Sequence, residues 1–246
     1  MESSTAFLNG DILGSSHITT GTETISGNIA PSIKKLNTGL FIFISLRVTS
    51  VGDARFSISY DGVDITATNV IPLPNTFTGG SPYYGTFLYY VSKCEDSSKA
   101  LEVSADITSP GVVDAFAVSY AFVSNVPKNQ IYKEATYSKE ASRNIFWPSA
   151  CIGKTTLGEA IVLSILIGES GIPPGTWSAD IPMTQIGTVD IDGITSVCFG
   201  YFENASVATT SLSMSSTVFP PLVTSFITNV TPRFLKPSFP SVIATI

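Results

Sequence analysis

The chain has 246 residues, of which 13% are charged and 43% hydrophobic, and its formal net charge is −6. This composition argues against an intrinsically disordered chain, because disordered chains combine few apolar residues with many charged ones. The acidic balance and the thirteen scattered basic residues also argue against a surface that follows a phosphate backbone, so we expect no nucleic-acid partner.

The first 36 residues are rich in Gly, Ser and Thr, with Ile at intervals. This composition fits either the opening strands of a first domain or an extended arm. The two longest apolar runs come later, with LFIFI at 40–44 and AIVLSILI at 160–167. A membrane span requires about 20 apolar residues, so we expect these runs to be buried strands and expect no membrane insertion.

Similar segments recur at a separation of about a hundred residues, which indicates an internal duplication. An apolar strand, an alternating strand, an aromatic strand and a closing strand that ends in Asn-Val each occur twice. In chain order the pairs are GLFIFIS 39–45 with GEAIVLS 158–164, RFSISYDGVDIT 55–66 with TWSADIPMT 176–184, GTFLYYV 85–91 with SVCFGYF 196–202, and VSYAFVSNV 118–126 with LVTSFITNV 222–230.

Turn signals such as Asp61-Gly62 and Asp192-Gly193 separate short β-branched and aromatic segments, a spacing typical of antiparallel sandwiches. The Asp61-Gly62 pair favours a type I′ turn, because both central residues of that turn need positive φ. Gly, Pro and β-branched residues interrupt every candidate helix. Residues 129–144 have room for one or two helical turns, but we favour a strand that begins at Ile131.

These patterns predict an all-β protein with two tandem antiparallel β-sandwich domains of a jelly-roll-like kind. The first domain is expected at 1–126, including the N-terminal extension. The second is expected at 127–246, where the tail after Val230 alternates Pro with apolar residues and ends apolar.

The order of segments between Gly39 and Val126 resembles a β-sandwich domain type found in phage and other viral structural proteins. In that type, a strand with a Tyr-Asn/Asp-Gly-Val step precedes an aromatic strand. Here these are SISYDGVDIT and GTFLYYV. The second half, 158–230, has SADIPMT in place of the Asp-Gly step and matches only in outline. The resemblance implies a module of the virion surface, tail or attachment apparatus.

Residues suited to catalysis or metal binding are few. His17 is the sole histidine and is far in sequence from any cysteine, so we expect no Ser-His or Cys-His machinery and a protein that is not an enzyme. Asp190 and Asp192 have the spacing used in calcium loops, but no further Asp or distal Glu follows at the required interval. We expect a solvated turn there, with no bound metal and no cofactor.

The three cysteines, Cys94, Cys151 and Cys198, are odd in number and show no CxxC spacing. This pattern indicates neither a zinc site nor a complete disulfide framework. We expect buried free thiols, with one pair bridging the two halves as the alternative.

The segment 71–85, IPLPNTFTGGSPYYG, is the main candidate for a contact surface. It carries Phe77, Tyr83 and Tyr84, and aromatic side chains on a loop offer a large contact area at low entropic cost. The alternative is that these aromatic residues fold back over the end of the first domain.

Two sequons occur, Asn-Ala-Ser at Asn204 and Asn-Val-Thr at Asn229. Asn204 is the better glycosylation candidate if the host glycosylates the protein, because Asn229 lies in a predicted strand and is followed by Pro232.

The first functional hypothesis is a non-enzymatic structural protein of the virion surface, such as a capsid-associated, spike, turret or tail module for assembly and host attachment. Its expected partners are copies of itself, other virion proteins, and a glycan or protein of the host surface. The low charge supports assembly, because charges buried in an interface carry a desolvation cost. The alternative is a carbohydrate-binding module of a cell surface or filament that is not tied to a virus.

Overall fold

The structure is a computed structural model that describes residues 6–18, 21–33, 37–48, 55–67, 70–71, 77–78, 83–107, 115–124, 131–138, 142–146, 161–169, 177–179, 184–191, 193, 195–202, 211–215 and 223–230. These ranges contain strands and turns but no helix. The paired strands run antiparallel to their neighbours in each of the four sheets. An all-β architecture with antiparallel sheets is therefore confirmed for the described part of the chain.

Two sheets are built from the first half of the chain. Sheet I has the spatial order β1 (Ala6–His17), β10 (Ala115–Ser124), β3 (Gly39–Val48), β8 (Tyr83–Val91) and β6 (Val70–Ile71), with β7 (Phe77–Thr78) also paired to β8. Sheet II has the order β2 (Gly21–Ile29), β9 (Lys99–Ile107), β4 (Arg55–Tyr60) and β5 (Val63–Asp64). Since β1 and β2 belong to these sheets, most of the first 36 residues form strands and not an extended arm.

Two further sheets are built from the second half. Sheet III has the order β11 (Ile131–Ser138), β18 (Val223–Val230), β13 (Ile161–Glu169), β16 (Thr195–Phe202) and β15 (Thr184–Asp190). Sheet IV has the order β12 (Ser142–Phe146), β17 (Ser211–Ser215) and β14 (Trp177–Ala179). The strand predicted to begin at Ile131 is confirmed as β11.

The two halves share one strand order. Strands β11 to β18 of the second half can be matched in chain order with eight strands of the first half, leaving out β5 and β7. With this matching, the strand order of sheet III is the same as that of sheet I, and the strand order of sheet IV is the same as that of the first three strands of sheet II. Each pair of similar sequence segments lies on matched strands, namely β3 with β13, β4 with β14, β8 with β16 and β10 with β18. The segments that resemble each other in sequence therefore hold the same places in the two halves.

Strand β3 is buried along its whole length, because sheet I has packed neighbours on both faces. Alternate residues of β3, from Leu40 to Val48, join a core cluster with residues of sheet II. The intervening Phe41 and Phe43 join a second cluster that contains Leu163, Val197 and Phe199 of sheet III. Side chains alternate between the faces of a strand, so a strand with cores on both faces needs the unbroken apolar run seen in LFIFI.

Aromatic side chains connect the two halves of the chain. The rings of Phe7 and Tyr201 stack with centroids 3.9 Å apart, and the rings of Phe43 and Phe199 lie at 5.3 Å in a tilted arrangement. Small residues of β10, including Ala117 and Ala121, lie on the same face of sheet I and leave room for these rings. Large and small residues thus complement each other in the interior between sheets I and III.

The turn between β4 and β5 has the predicted type I′ geometry. Asp61 and Gly62 both have positive φ, 55° and 74°, and Tyr60 pairs with Val63 across the turn. A glycine in the left-handed region carries no Cβ penalty, and aspartate tolerates that region better than most residues. The prediction from the Asp-Gly pair is confirmed.

We expect Phe43→Ala to lower the free energy of unfolding by about 3–5 kcal/mol, because the change removes a fully buried ring and leaves a cavity between sheets I and III. Val63→Ala is the matched control, because Val63 is 62% exposed, and its effect should stay within about 0.5 kcal/mol. Urea unfolding of both variants measures the difference. Equal effects of the two changes would contradict the packing described for β3.

Candidate functional site

The aromatic residues predicted to line a binding loop lie on strands. Phe77 is in β7 and its backbone pairs with Gly85, whereas Tyr83 and Tyr84 begin β8 and pair with Val48 and Arg47. The segment 71–85 is therefore partly incorporated into sheet I and is less of a loop than its Pro and Gly content indicates. Whether these three residues bind a ligand stays a prediction.

Asp190 closes the turn between β15 and β16. Its Oδ1 accepts a hydrogen bond of 2.9 Å from the backbone N–H of Gly193, and Gly193 has a φ of 75°. A carboxylate that bonds the backbone a few residues later stabilises a turn without an ion. Asp192 and the sequon residue Asn204 lie outside the described residues.

Other sequence candidates lie apart from one another. His17 is the exposed last residue of β1 and pairs with Ala115. Cys94 is a partly buried free thiol and Cys198 is buried, whereas Cys151 falls outside the described ranges. The described residues include no group of three or more His, Cys, Asp or Glu side chains that could hold a metal ion. Nor does a helix of membrane-crossing length and hydropathy occur among them.

Among the titratable groups of the described residues, those of Tyr60, Tyr90 and Cys94 are the most strongly perturbed. They lie at the end of sheets I and II where β4 and β8 finish. Burial raises the pKa of Cys94 to about 11, and hydrogen bonds to the thiol from Tyr60 and Leu40 partly oppose this. Burial is the main cause that raises the pKa of Tyr60, and the neighbouring Cys94 is the second. The same two causes raise the pKa of Tyr90 to about 12. The buried Tyr60 hydroxyl makes no hydrogen bond of good geometry within the described part of the chain, so its interaction with the Cys94 thiol is weak.

A small ion-pair network lies on the surface next to these residues. The Lys99 ammonium is 2.7 Å from Asp61 Oδ2 and 3.2 Å from Glu95 Oε2. Its hydrogen bonds to Asp61 and then Glu95 raise its pKa. Because both carboxylates are more than half exposed, solvent screens the network and it contributes little to stability. It connects the Asp61-Gly62 turn to Lys99 of β9.

A polar region lies inside the protein, between sheets I and III. Arg47 is only 4% exposed and its Nη1 donates a hydrogen bond of 2.5 Å to Oγ1 of Thr195, which is fully buried. On the same face of sheet I, the hydroxyls of Ser45 and Thr86 are 3.3 Å apart. The buried Ser119 hydroxyl has no hydrogen-bond partner in the described part of the chain. Sequence reasoning missed Arg47, because nothing in "SLRV" distinguishes a buried arginine from an exposed one.

The outer face of sheet II is covered by small polar side chains. Thr24 on β2 pairs with Ser104 on β9, their hydroxyls are 2.7 Å apart, and Ser57 on β4 lies opposite Ser104 on the other side. Ser26, Glu102 and Ser59 form the next row. The hydroxyl groups of this face are suited to hydrogen-bonded contact, because short hydroxyl side chains lose little entropy when they are ordered.

No known protein-family model, curated protein or solved structure matches this chain. The structure of the chain itself is therefore the basis for its functional assignment.

The free energy of unfolding should decrease above about pH 9, and Cys94 should contribute to the decrease. Its pKa rises from the ordinary 9.0 to about 11 in the folded chain, so the folded state holds the proton more tightly than the unfolded state. The stabilisation is fully present below pH 9 and is lost as the pH rises through 11. We expect the stability of the wild-type protein to fall more steeply over this range than that of Cys94→Ala in urea unfolding. Parallel curves for the two proteins would contradict this assignment.

Thr195→Val should lower the free energy of unfolding by about 1.5–3 kcal/mol, because it removes a hydrogen-bond acceptor from a buried charged group. Thr195→Ser, which keeps the hydroxyl, is the matched control and should cost less than half as much. In an Arg47→Met background, Thr195→Val should have little effect, since the charge is gone. A Thr195→Val cost that is the same in both backgrounds would show that the bond between the halves contributes nothing.

Proposed function

We propose that this chain is a non-enzymatic structural protein of a virion surface, built from two tandem jelly-roll sandwiches. In a jelly roll of eight strands, one sheet has the order 1-8-3-6 and the other the order 2-7-4-5. If β6 and β7 are treated as additions before β8, the strands of the first half follow the same order, with β1-β10-β3-β8 in sheet I and β2-β9-β4-β5 in sheet II. This strand order is the observation that carries the proposal.

The second half supports the same interpretation. Sheet III repeats the order of sheet I, and sheet IV repeats the order of the first three strands of sheet II. Jelly rolls occur in viral capsid proteins and in lectins, and a fold by itself does not decide between such functions. The resemblance of residues 39–126 to a domain type of viral structural proteins favours the first of the two.

The packing of the halves also favours a structural role. Sheets I and III share an apolar core with Phe43, Phe199 and Leu163 fully buried, and Arg47 hydrogen-bonds Thr195 across it. Such contacts resist relative motion of the halves, because a close-packed interior transmits strain and does not deform smoothly. A stiff, weakly charged block is suited to repeated packing in a shell or spike.

The titratable groups with raised pKa values also fit a non-enzymatic role. Among the described residues, the groups with the largest shifts are Tyr60, Tyr90 and Cys94, and burial moves each pKa further above neutrality. A general acid or base works best with a pKa near the operating pH, and a reactive cysteine has a lowered one. These groups are therefore suited to packing and not to proton transfer at neutral pH.

The proposal is tested on particles produced by cells that express the gene. Density-gradient fractions are examined by mass spectrometry and by electron microscopy with a gold-labelled antibody raised against the purified chain. We expect the protein to sediment with particles at a constant ratio to their most abundant protein, and the antibody to label their outer surface. Antibody pre-absorbed with purified chain is the control.

Recovery of the protein only in soluble or cell-envelope fractions would overturn the virion assignment. The carbohydrate-binding alternative then becomes the one to examine, by glycan-array binding of the purified chain. Loss of array binding in Tyr83→Ala and Tyr84→Ala, with unchanged thermal stability, would assign the binding to the aromatic residues at the start of β8.

A further inference from the structure

Strand β2 differs from the other edge strands of the four sheets. The edge strand β1 has register shifts at Phe7/Asn9 and Ile12/Gly14, and the edge strand β15 has one at Gln185/Gly187. The edge strands β5 and β6 have two residues each, β14 has three and β12 has five, and β11 carries Lys133 and Glu134 in its centre. Short length, bulges and charge are the features that protect sheet edges from pairing with another chain. In β2, nine residues pair with β9 without a shift, and Glu23 is the strand's one charged residue.

The pairing shows which backbone groups of β2 face away from β9. The backbone N–H of Asp61 donates to the carbonyl of Ala100 at 2.9 Å, so the backbone groups of Ala100 point toward β4. Backbone groups alternate along a strand, so those of Glu102 and Ser104 point the same way. Their partners in β2, Ser26 and Thr24, therefore direct N–H and C=O toward the open edge.

The same residues carry side chains suited to close approach. Thr24, Ser26 and Asn28 are exposed, uncharged and lie on the outer face of sheet II. Their backbone groups point to the edge, where the described residues provide no further strand. A sheet edge of this kind pairs readily with another extended segment, since backbone hydrogen bonds supply the affinity.

We propose that β2 is a self-association surface, through which two copies of this chain pair antiparallel about a twofold axis. The sequence of β2 permits antiparallel pairing with itself in a register centred on Ile25. In that register, Thr24 lies opposite Ser26 of the second copy, and Glu23 lies opposite Gly27. The single charge therefore meets an uncharged residue and not its own symmetry mate, which would repel it. The pairing keeps the outward backbone groups opposite each other and joins the two copies of sheet II into one continuous sheet.

This inference deepens the proposed virion function, because it names a contact through which the subunits associate. It depends on that function only for its biological setting. The pairing itself is a property of the purified chain, so it is measured without particles. If the antibody failed to label particles, the virion proposal would fail and the dimerisation of the purified chain would be unaffected. If the antibody labelled particles but the purified chain were monomeric, only the β2 pairing would be overturned.

The first test compares Ser26→Pro with Ser26→Ala in the full chain. Proline removes the outward N–H and blocks close approach, but it leaves the backbone bonds to β9 in place because Ser26 does not use its N–H there. Light scattering with size-exclusion chromatography is expected to show a wild-type dimer. The dimer dissociation constant should rise about 100-fold or more in Ser26→Pro and change less than about 3-fold in Ser26→Ala. A monomeric wild-type chain at about 100 μM, or equal effects of the two variants, would overturn the proposal.

A charge-exchange experiment tests the antiparallel pairing through β2 and does not depend on whether a proline variant folds. One variant carries Thr24→Lys with Ser26→Lys, and the other carries Thr24→Glu with Ser26→Glu. Each alone should be monomeric, because the proposed register places like charges opposite each other, and an equimolar mixture should form a one-to-one heterodimer. A mixture that stays monomeric, or either variant remaining dimeric alone, would contradict the pairing through β2.

Amide hydrogen exchange supplies the third measurement. In the wild-type dimer the amides of Thr24 and Ser26 should exchange slowly, and in the charged variants they should exchange at least about tenfold faster. The Ile25 amide, which is directed toward β9, should stay protected in both. Fast exchange at Thr24 and Ser26 in a wild-type dimer would show that the copies associate through another surface.

Discussion

The structure depends on the burial of both faces of β3. A strand with solvent on one face can alternate apolar and polar residues, but β3 is covered by sheet II on one side and by sheet III on the other. Its ten residues are all buried. Each of the two cores therefore includes one face of the same strand. Full burial of large side chains such as Leu40, Phe41 and Phe43 contributes about 1.5–3 kcal/mol each relative to exposure.

The face of β3 that meets sheet III changes from apolar to polar along the strand. Phe41 and Phe43 face sheet III at one end of β3, and Ser45 and Arg47 face it at the other. A buried guanidinium and neighbouring hydroxyls are costly unless they are paired in one geometry. The apolar end provides most of the attraction between the halves, and the Arg47 to Thr195 hydrogen bond restricts their alignment.

The sequence predicted strands, turns and the equivalence of segments, but not strand register. When the two segments that end in Asn-Val are aligned in sequence, Val123 is equivalent to Ile227. When the two apolar segments are aligned, Gly39 is equivalent to Gly158. In the structure Val123 pairs with Gly39, whereas Ile227 pairs with Ser164, six residues beyond Gly158. A shift by an even number of residues keeps the same side chains facing the core, so hydrophobic alternation does not detect it. Arg47 was missed for a related reason, because its burial results from a contact with Thr195, 148 residues away.

In each half of the chain, the first described strand pairs with the last described strand. Ala6 opens β1 opposite Ser124, which closes β10, and the Ser124 hydroxyl lies 3.2 Å from both the amide nitrogen and the carbonyl oxygen of Ala6. Ile131 likewise opens β11 opposite Val230, which closes β18. A gene that encodes such a unit can be copied and fused end to end with a short connector, since no long crossover is needed to bring the next copy into position. Six residues of sequence separate Ser124, the end of β10, from Ile131, the start of β11, and the same geometry would admit further copies in series.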